Sequence, residues 1–408
     1  MNKKKIINDP VYGFINIKDE LIFDLIEHPY IQRLRRIRQL GLTDMVYPGA
    51  MHTRFHHAIG AMHLMTRALE QLRDRGVEIS DSEILAAKAA ILLHDLGHGP
   101  FSHALEFTLL KNVNHEDVSL FLMEKINKSW NGSLDLAIKM YKKEYERPFF
   151  GQLISSQLDM DRLDYLQRDS FFTGVHEGTI GAQRIIKMLA VDQDQLVVEE
   201  KGIYSIENFL NARRLMYWQV YLHKTALAAE QMLIKLIQRA QFLARNGENV
   251  PASEALTFFL KQPVDKNFDQ LDLAAQYFVK LDDYDIIAAM KTWGNHPDRV
   301  LSLLSHQLLN REIFKIQLKN QQIPTPSIKA GLKKVCDYFK ISEQEASFLM
   351  AHGAVSNSAY LNHGDQILIL QKDGEIVDLE SASDLPNITA MSKIVKKYYL
   401  CLSKNVSL

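Results

Sequence analysis

Residues 91–106 read ILLHDLGHGPFSHALE. The apolar run Ile91–Leu93 continues a helical pattern through Ile84 and Ala87. Ser80 followed by Glu83 is a capping-box signal that opens this helix. Gly97 is expected to close it, and Pro100 suits the first turn of the next. The helix thus delivers an adjacent His94–Asp95 pair near its C-terminal end, and burying that pair demands hydrogen bonds or a cation.

Upstream, RFHHAIG (54–60) puts His57 on a second helix, with apolar repeats at Phe55, Ile59, Met62, Met65 and Leu69 and a stop at Gly76. Downstream, LDMDRLDYLQRD (158–169) carries Asp159, Asp161, Asp164 and Asp169 among Leu163, Tyr165 and Leu166, so this segment is at least half buried. One imidazole, a His–Asp pair and a distant carboxylate make a mixed N/O donor set. Such a set suits Mn, Fe, Co, Ni or Zn and, less well, Mg, with positions left for water and phosphate. A His–Asp dipeptide alone is common, and acids on a helix are usually a solvated face. The ordered combination carries the information, and it falls where histidine concentrates: eight of the 15 lie between His52 and His115.

The 408 residues allow two or three packed units. Lys+Arg (48) balances Asp+Glu (49), a net charge of -1 that argues against non-specific coating of nucleic acid but allows a local basic pocket. Two cysteines exclude a disulfide framework or a Cys-based metal cluster. MNKKKIINDP has no apolar run after its basic residues, so no signal peptide is expected. No apolar stretch suits a bilayer, so no membrane partner is expected either, and the expected location is cytoplasmic. A P-loop motif is absent.

The remaining patterns are mostly helical. Residues 19–41 read as helix interrupted near Pro29, and 206–247 as one long periodic stretch ending at Asn246–Gly247. QLVVEEKGIYSI (195–206) reads as strand with a turn near Lys201–Gly202, and QILILQKDGEIVDLES (366–381) as a hairpin around Asp373–Gly374. The turn-rich segment 246–255 marks a lobe boundary. The expected fold is mainly α, with a helical catalytic lobe over 1–245 and a smaller α+β C-terminal lobe over 246–408.

NDPVYGFINI, IQRLRRIRQLG, YPGAMHTRFHHAIG, HDLGHGPFSHALE, NHED, LDMDRLDYLQRD and ARRLMYWQVYLHK, in this order over about the first half of the chain, resemble the HD-domain deoxynucleoside triphosphate triphosphohydrolases. The resemblance implies an HD-domain helical bundle that hydrolyses a dNTP to deoxynucleoside and inorganic triphosphate. It gives one divalent metal per subunit (Mn, Fe, Ni, Co, Zn or Mg) to His57, His94, Asp95 and Asp161, with additional Mg accompanying bound nucleotide. His103, His115 and Glu106 fall at the catalytic acid/base network, with Glu106 replacing an Asp. Arg54, His98, Arg162, Tyr165 and Arg213 fall at the phosphates, with Arg162 replacing a Lys. Gln39 and Asp169 fall at the sugar 3′-hydroxyl, and Leu40 and Tyr221 pack the deoxyribose face. Lys5, Asn8, Glu27, Gln32 and Arg35 match a guanine-nucleotide activator site for GTP or dGTP. Arg184, Lys201, His223 and Lys224 match a second nucleotide site, where Gln219 stands in place of a basic residue. Such sites lie between chains, so a homo-oligomer, tetramer or dimer, is implied and no SAM domain is expected before the core. The alternatives are another HD phosphohydrolase (nucleotidase, phosphodiesterase or guanosine-polyphosphate hydrolase) and a non-catalytic nucleotide sensor.

Overall fold

A computed structural model describes residues 4–101, 104–264, 268–357, 366–384 and 395–407. His103 lies outside them. The chain opens with an antiparallel hairpin, β1 (Lys5–Asp9) and β2 (Gly13–Ile17), in the register Lys5 opposite Ile17. Helices α1 (Glu20–Glu27) and α2 (Pro29–Arg33) are separated at His28, whose imidazole accepts from Tyr30 N and caps α2. The interruption near Pro29 is therefore real. α3 (Arg54–Asp74) is followed by α4 (Asp81–Leu93), which Ser80 and Glu83 cap reciprocally. Then come α5 (Glu106–Leu109), α6 (His115–Ser129), α7 (Asp135–Tyr141), α8 (Pro148–Ile154), α9 (Met160–Thr173), α10 (Ala182–Met188), α11 (Ile203–Met216) and α12 (Lys224–Arg245). α3 is the hub, packed against both α4 and α9. No helix among the described residues is long and apolar enough to cross a membrane.

Several local expectations need correction. α4 ends at Leu93, not at Gly97, and the chain continues in turns closed by Leu96 N to Leu93 O and His98 N to Asp95 O. Gly97 serves a close approach instead: a Cβ there would lie 2.0 Å from the His115 carbonyl oxygen. Pro100 sits in a turn rather than in a helix. Of 195–206, the strand (195–199) and the turn at Glu200–Gly202 are present, but no second strand follows. β4 (Gln195–Glu199) pairs backward with β3 (Leu189–Asp192), and the reversal falls on Gln193 and Asp194, both at positive φ (46° and 56°) as a two-residue hairpin turn requires. Ile203 already begins α11. The long stretch 206–247 is two helices: a widened turn at Tyr217–Tyr221 ends the first, and His223 caps α12 by accepting from Thr225 N.

The hairpin around Asp373–Gly374 is present as β7 (Leu368–Leu370) and β8 (Ile376–Asp378), with Gly374 at φ +89°. β7 runs parallel to β4, giving a sheet in the order β3-β4-β7-β8. A second sheet, β5-β9-β6, is formed by β5 (Lys315–Lys319), β6 (Met350–Asn357) and β9 (Val395–Leu402), and β5 and β6 pack on α12. The fold is thus mainly α with an α+β C-terminal region. One apolar core runs through both, from Met65, Ile91 and Leu166 to Leu236, Trp293 and Leu304. Polar contacts also join them: Arg33 Nε donates to Leu281 O (2.8 Å), and Asp283 accepts from the backbone N of Arg38 (2.9 Å) and of Phe101 (2.8 Å).

At Gly60 on α3 an added Cβ would lie 2.0 Å from Asp164 Oδ1 and 2.1 Å from Arg168 Nη2. Gly60→Ala is expected to lower stability by about 1–3 kcal/mol through overpacking. Urea denaturation checks this; an unchanged midpoint would contradict the close approach of α3 and α9.

Candidate active site

Three helix ends meet at one point. The start of α3 supplies Arg54 and His57, the turn after α4 supplies His94 and Asp95, and the first turn of α9 supplies Asp161. Asp159 caps α9 by accepting from Arg162 N at 2.7 Å, which fixes the turn carrying Asp161. His57 Nε2 lies 3.0 Å from Asp161 Oδ1 and 3.7 Å from Asp95 Oδ2. His94 Nε2 lies 3.4 Å from Asp161 Oδ1 and 3.3 Å from Asp95 Oδ1.

The other ring nitrogens are already used. His57 Nδ1 faces Asp164 Oδ2 at 2.7 Å and His94 Nδ1 faces Ile91 O at 2.6 Å. Both Nδ1 atoms are therefore donors, which turns both Nε2 lone pairs inward, as in metal-bound histidine. Both Nε2 atoms are buried without a hydrogen-bond partner. Burial alone would lower the His57 pKa, but its close contacts with the Asp161 and Asp164 carboxylates and their charge raise it to about 10. The site thus favours a positive charge between the rings. This donor set fits a divalent cation held by His57, His94 and Asp161, with Asp95 beside them. A second trio, Asp95, His98 and His115, also converges closely enough to hold one.

Asp164 belongs to a buried chain of charge that the sequence reading left without a role. Arg168 donates to Asp164 through Nε and Nη2 (both 3.0 Å) and to Asp9 through Nη1 (2.8 Å). Asp9 in turn accepts from the N–H of Val11 and Tyr12 in the N-terminal hairpin. Arg168 is 0 % exposed. The imidazole that α3 brings to the cluster is thus oriented, through two carboxylates and a guanidinium, by the β1–β2 turn.

The predicted substrate residues mostly line one cavity of about 400 Å³ beside this cluster: Gln39, Leu40, Arg54, His98, Arg162, Tyr165, Asp169 and Tyr221, together with His115. Arg54 Nη1 donates to Asp95 Oδ2 at 2.6 Å, so its guanidinium also braces that carboxylate. Burial acts to raise the Asp95 pKa, but His94, His98 and Arg54 hold it well below the usual range. Burial, reinforced by the Arg54 charge, lowers His98 well below its ordinary value, so that ring is neutral near pH 7. Glu106 accepts from both the backbone N and Nδ1 of His115 at 2.7 Å, and the His115 ring stacks on His98 with centroids 3.9 Å apart. Arg213 is buried beside Tyr165, with Nε and Nη1 unpartnered. Asp169 is held from two sides, by His52 Nε2 (2.7 Å) and Tyr221 Oη (2.8 Å). His52 had shown no signal beyond membership of the histidine cluster.

The residues expected at activator sites divide into two groups. Lys5 pairs with Glu27, Arg35 Nε donates to Gln32 Oε1 (2.9 Å), and Asn8 lies on β1 with Lys5. Arg184 donates to Lys201 O (3.3 Å). No hydrogen bond or ion pair joins that pair to His223 or Lys224 among the described residues.

The HD-domain profile matches residues 54–169, and one described as an HD associated region matches 180–249. A crystallised phosphohydrolase from Bacteroides thetaiotaomicron is 53% identical, with a TM-score of 0.94 over 98% of this chain and 99% of that one. This chain belongs to the HD-domain phosphohydrolase family. YwfO of Bacillus subtilis is 35% identical to this HD-domain chain over 94% of its length and 88% of YwfO. A Dictyostelium discoideum protein named as a deoxynucleoside triphosphate triphosphohydrolase SAMHD1 homolog is 32% identical over 259 residues, 59% of this chain and 50% of that protein.

Two substitutions test the cluster. Arg168→Met strands two buried carboxylates and is expected to cost about 3–5 kcal/mol in urea denaturation. His94→Ala is expected to abolish stoichiometric binding of Mn by the purified protein, read by elemental analysis. Unchanged metal content would remove His94 from the donor set.

Proposed function

We propose that this protein hydrolyses deoxynucleoside triphosphates to deoxynucleoside and inorganic triphosphate. The observation that carries this reading is one cavity with a cation-binding cluster at one end and a polar sugar clamp within reach. The likeness to the Dictyostelium enzyme supports the choice of substrate.

A cation held by His57, His94, Asp95 and Asp161 would supply Lewis acidity to the phosphoryl group and to water. The protein's own groups do the rest. Arg54, Arg162 and Arg213 neutralise the polyphosphate, and Arg213 has two buried N–H positions free to do so. The neutral His98 ring donates without adding charge. The departing 5′-oxygen needs a proton, which this reading assigns to His103 with the Glu106–His115 pair as the adjoining acid/base network. Gln39, whose buried Oε1 has no hydrogen-bond partner, and Asp169 take the 3′-hydroxyl. Tyr221 is fixed by its bond to Asp169, so its ring and Leu40 present apolar surface to C2′. Additional Mg would enter with the nucleotide, held chiefly by its phosphate oxygens and water.

In this reading residues 1–245 form the catalytic unit and 246–408 a supporting lobe. GTP or dGTP binds the Lys5–Glu27–Gln32–Arg35 cluster between subunits of a dimer or tetramer, and the protein acts in the cytoplasm. The ordered pairing of these four side chains on one surface supports the activator site.

Incubation with each dNTP and Mn, followed by chromatography, should yield deoxynucleoside and triphosphate. Orthophosphate with nucleoside diphosphate would refute the bond assignment. A ribose 2′-hydroxyl facing Leu40 and Tyr221 should cost about 1–3 kcal/mol, roughly five- to 150-fold in kcat/KM for rNTP against dNTP. Equal turnover would refute the sugar filter.

A further inference from the structure

Glu230 lines the same cavity, from the first half of α12. It receives no hydrogen bond or ion pair from any described residue, which is unusual for a half-buried carboxylate. α12 packs beside the Thr43–Met45 turn and the widened turn Tyr217–Tyr221. Glu230 therefore belongs to the wall formed by Thr43, Tyr217, Tyr221 and Leu222. α12 carries none of the residues of the cation cluster, so Glu230 enters the cavity from a different element. In the dNTP reading, on which this inference rests, the triphosphate lies on that cluster and the sugar at Asp169. The base then points toward Glu230.

We propose that Glu230 reads the nucleobase and that its ionised carboxylate selects guanine. Guanine presents N1–H and N2–H as adjacent donors, matching the two carboxylate oxygens. Thymine offers one N–H between two carbonyl oxygens that repel a carboxylate. Adenine and cytosine place a ring-nitrogen lone pair beside an amino group, so they oppose a carboxylate but match a neutral carboxyl, which donates once and accepts once. Base choice therefore follows the protonation of one side chain.

That protonation falls in an accessible range, because burial raises Glu230 to about 7. Of the titratable groups on the packed elements, Tyr399 of β9 is near enough to feel the Glu230 charge, and its phenol stays neutral over this range. Tyr399 and Cys401 of β9 are both pushed up to about 12, chiefly by burial, and Tyr165 and Tyr221 of the cavity lining are raised as well. Asp44 in the neighbouring turn is paired with Arg38 (2.7 Å). Lys315 and Lys319 of β5, His352 of β6 and Lys235 of α12 make no contribution to its shift.

The test compares wild type with Glu230→Gln, whose amide has one donor edge and one acceptor and so imitates the neutral acid. The kcat/KM of each dNTP is measured with Mn from about pH 6 to about pH 9, and binding of deoxyguanosine and deoxyadenosine by calorimetry. In the wild type the dGTP-to-dATP ratio should rise about tenfold or more through neutral pH. In Glu230→Gln it should be low and flat, because an amide pairs equally with the N1–H and O6 of guanine and with the amino group and ring nitrogen of adenine or cytosine, and the melting temperature should be equal or higher. Identical base profiles in the two proteins, with triphosphate released, would overturn this inference and leave the dNTP reading standing. Absence of hydrolysis with deoxyguanosine binding that depends on Glu230 would do the reverse. Absence of both hydrolysis and Glu230-dependent nucleoside binding would overturn both.

Discussion

The hydrogen bond between His57 Nδ1 and Asp164 fixes which nitrogen of a buried imidazole faces the cluster, and the site depends on that choice. Were Nδ1 not engaged, the ring could present an N–H inward and repel a cation. Asp164 is itself buried, so it needs Arg168; Arg168 is buried, so it needs Asp9. Each member is justified by the next, until the last carboxylate is satisfied by backbone N–H groups of the N-terminal hairpin. Gly60 allows α3 and α9 to approach closely enough for this chain to form.

The cluster was legible in the sequence because its members come from short motifs in a fixed order. His94 and Asp95 are neighbours, His57 sits in the first turn of a periodic helix, and Asp161 opens a half-buried one. The supporting residues were not legible. Asp9 and Arg168 are 159 positions apart, and His52 and Asp169 are 117 apart. No local pattern marks such pairs. Arg168 did carry a weak signal, four positions after Asp164 on a buried helix face, where an acid and a base pair readily. Glu230 carried none, because an acid on an amphipathic helix reads as solvated until the cavity beside it is seen.

The fold followed the same division. Helix starts set by local chemistry, such as the Ser80–Glu83 cap, were readable, as was the Asp373–Gly374 turn. Expectations failed where long-range packing outweighed local preference. Gly97 looked like a helix stop but is needed for the contact with α6. The 206–247 periodicity concealed a break because the apolar stripe continues across Leu222 and His223 while the backbone does not. At 195–206 the β-rich composition was right, but the pairing partner lay upstream.

Asp283 accepts from the backbone at Arg38 and at Phe101, two segments that border the cavity from the far side of the sequence. The part of the chain after 246 therefore acts as a keystone: it ties down the loop that follows His98 from outside the His- and Asp-bearing motifs. A fragment cut to the motif-bearing half would keep every proposed ligand and lose the clamp on this loop. Swapping C-terminal lobes between relatives would, on the same grounds, retune the cavity without altering a single residue that lines it.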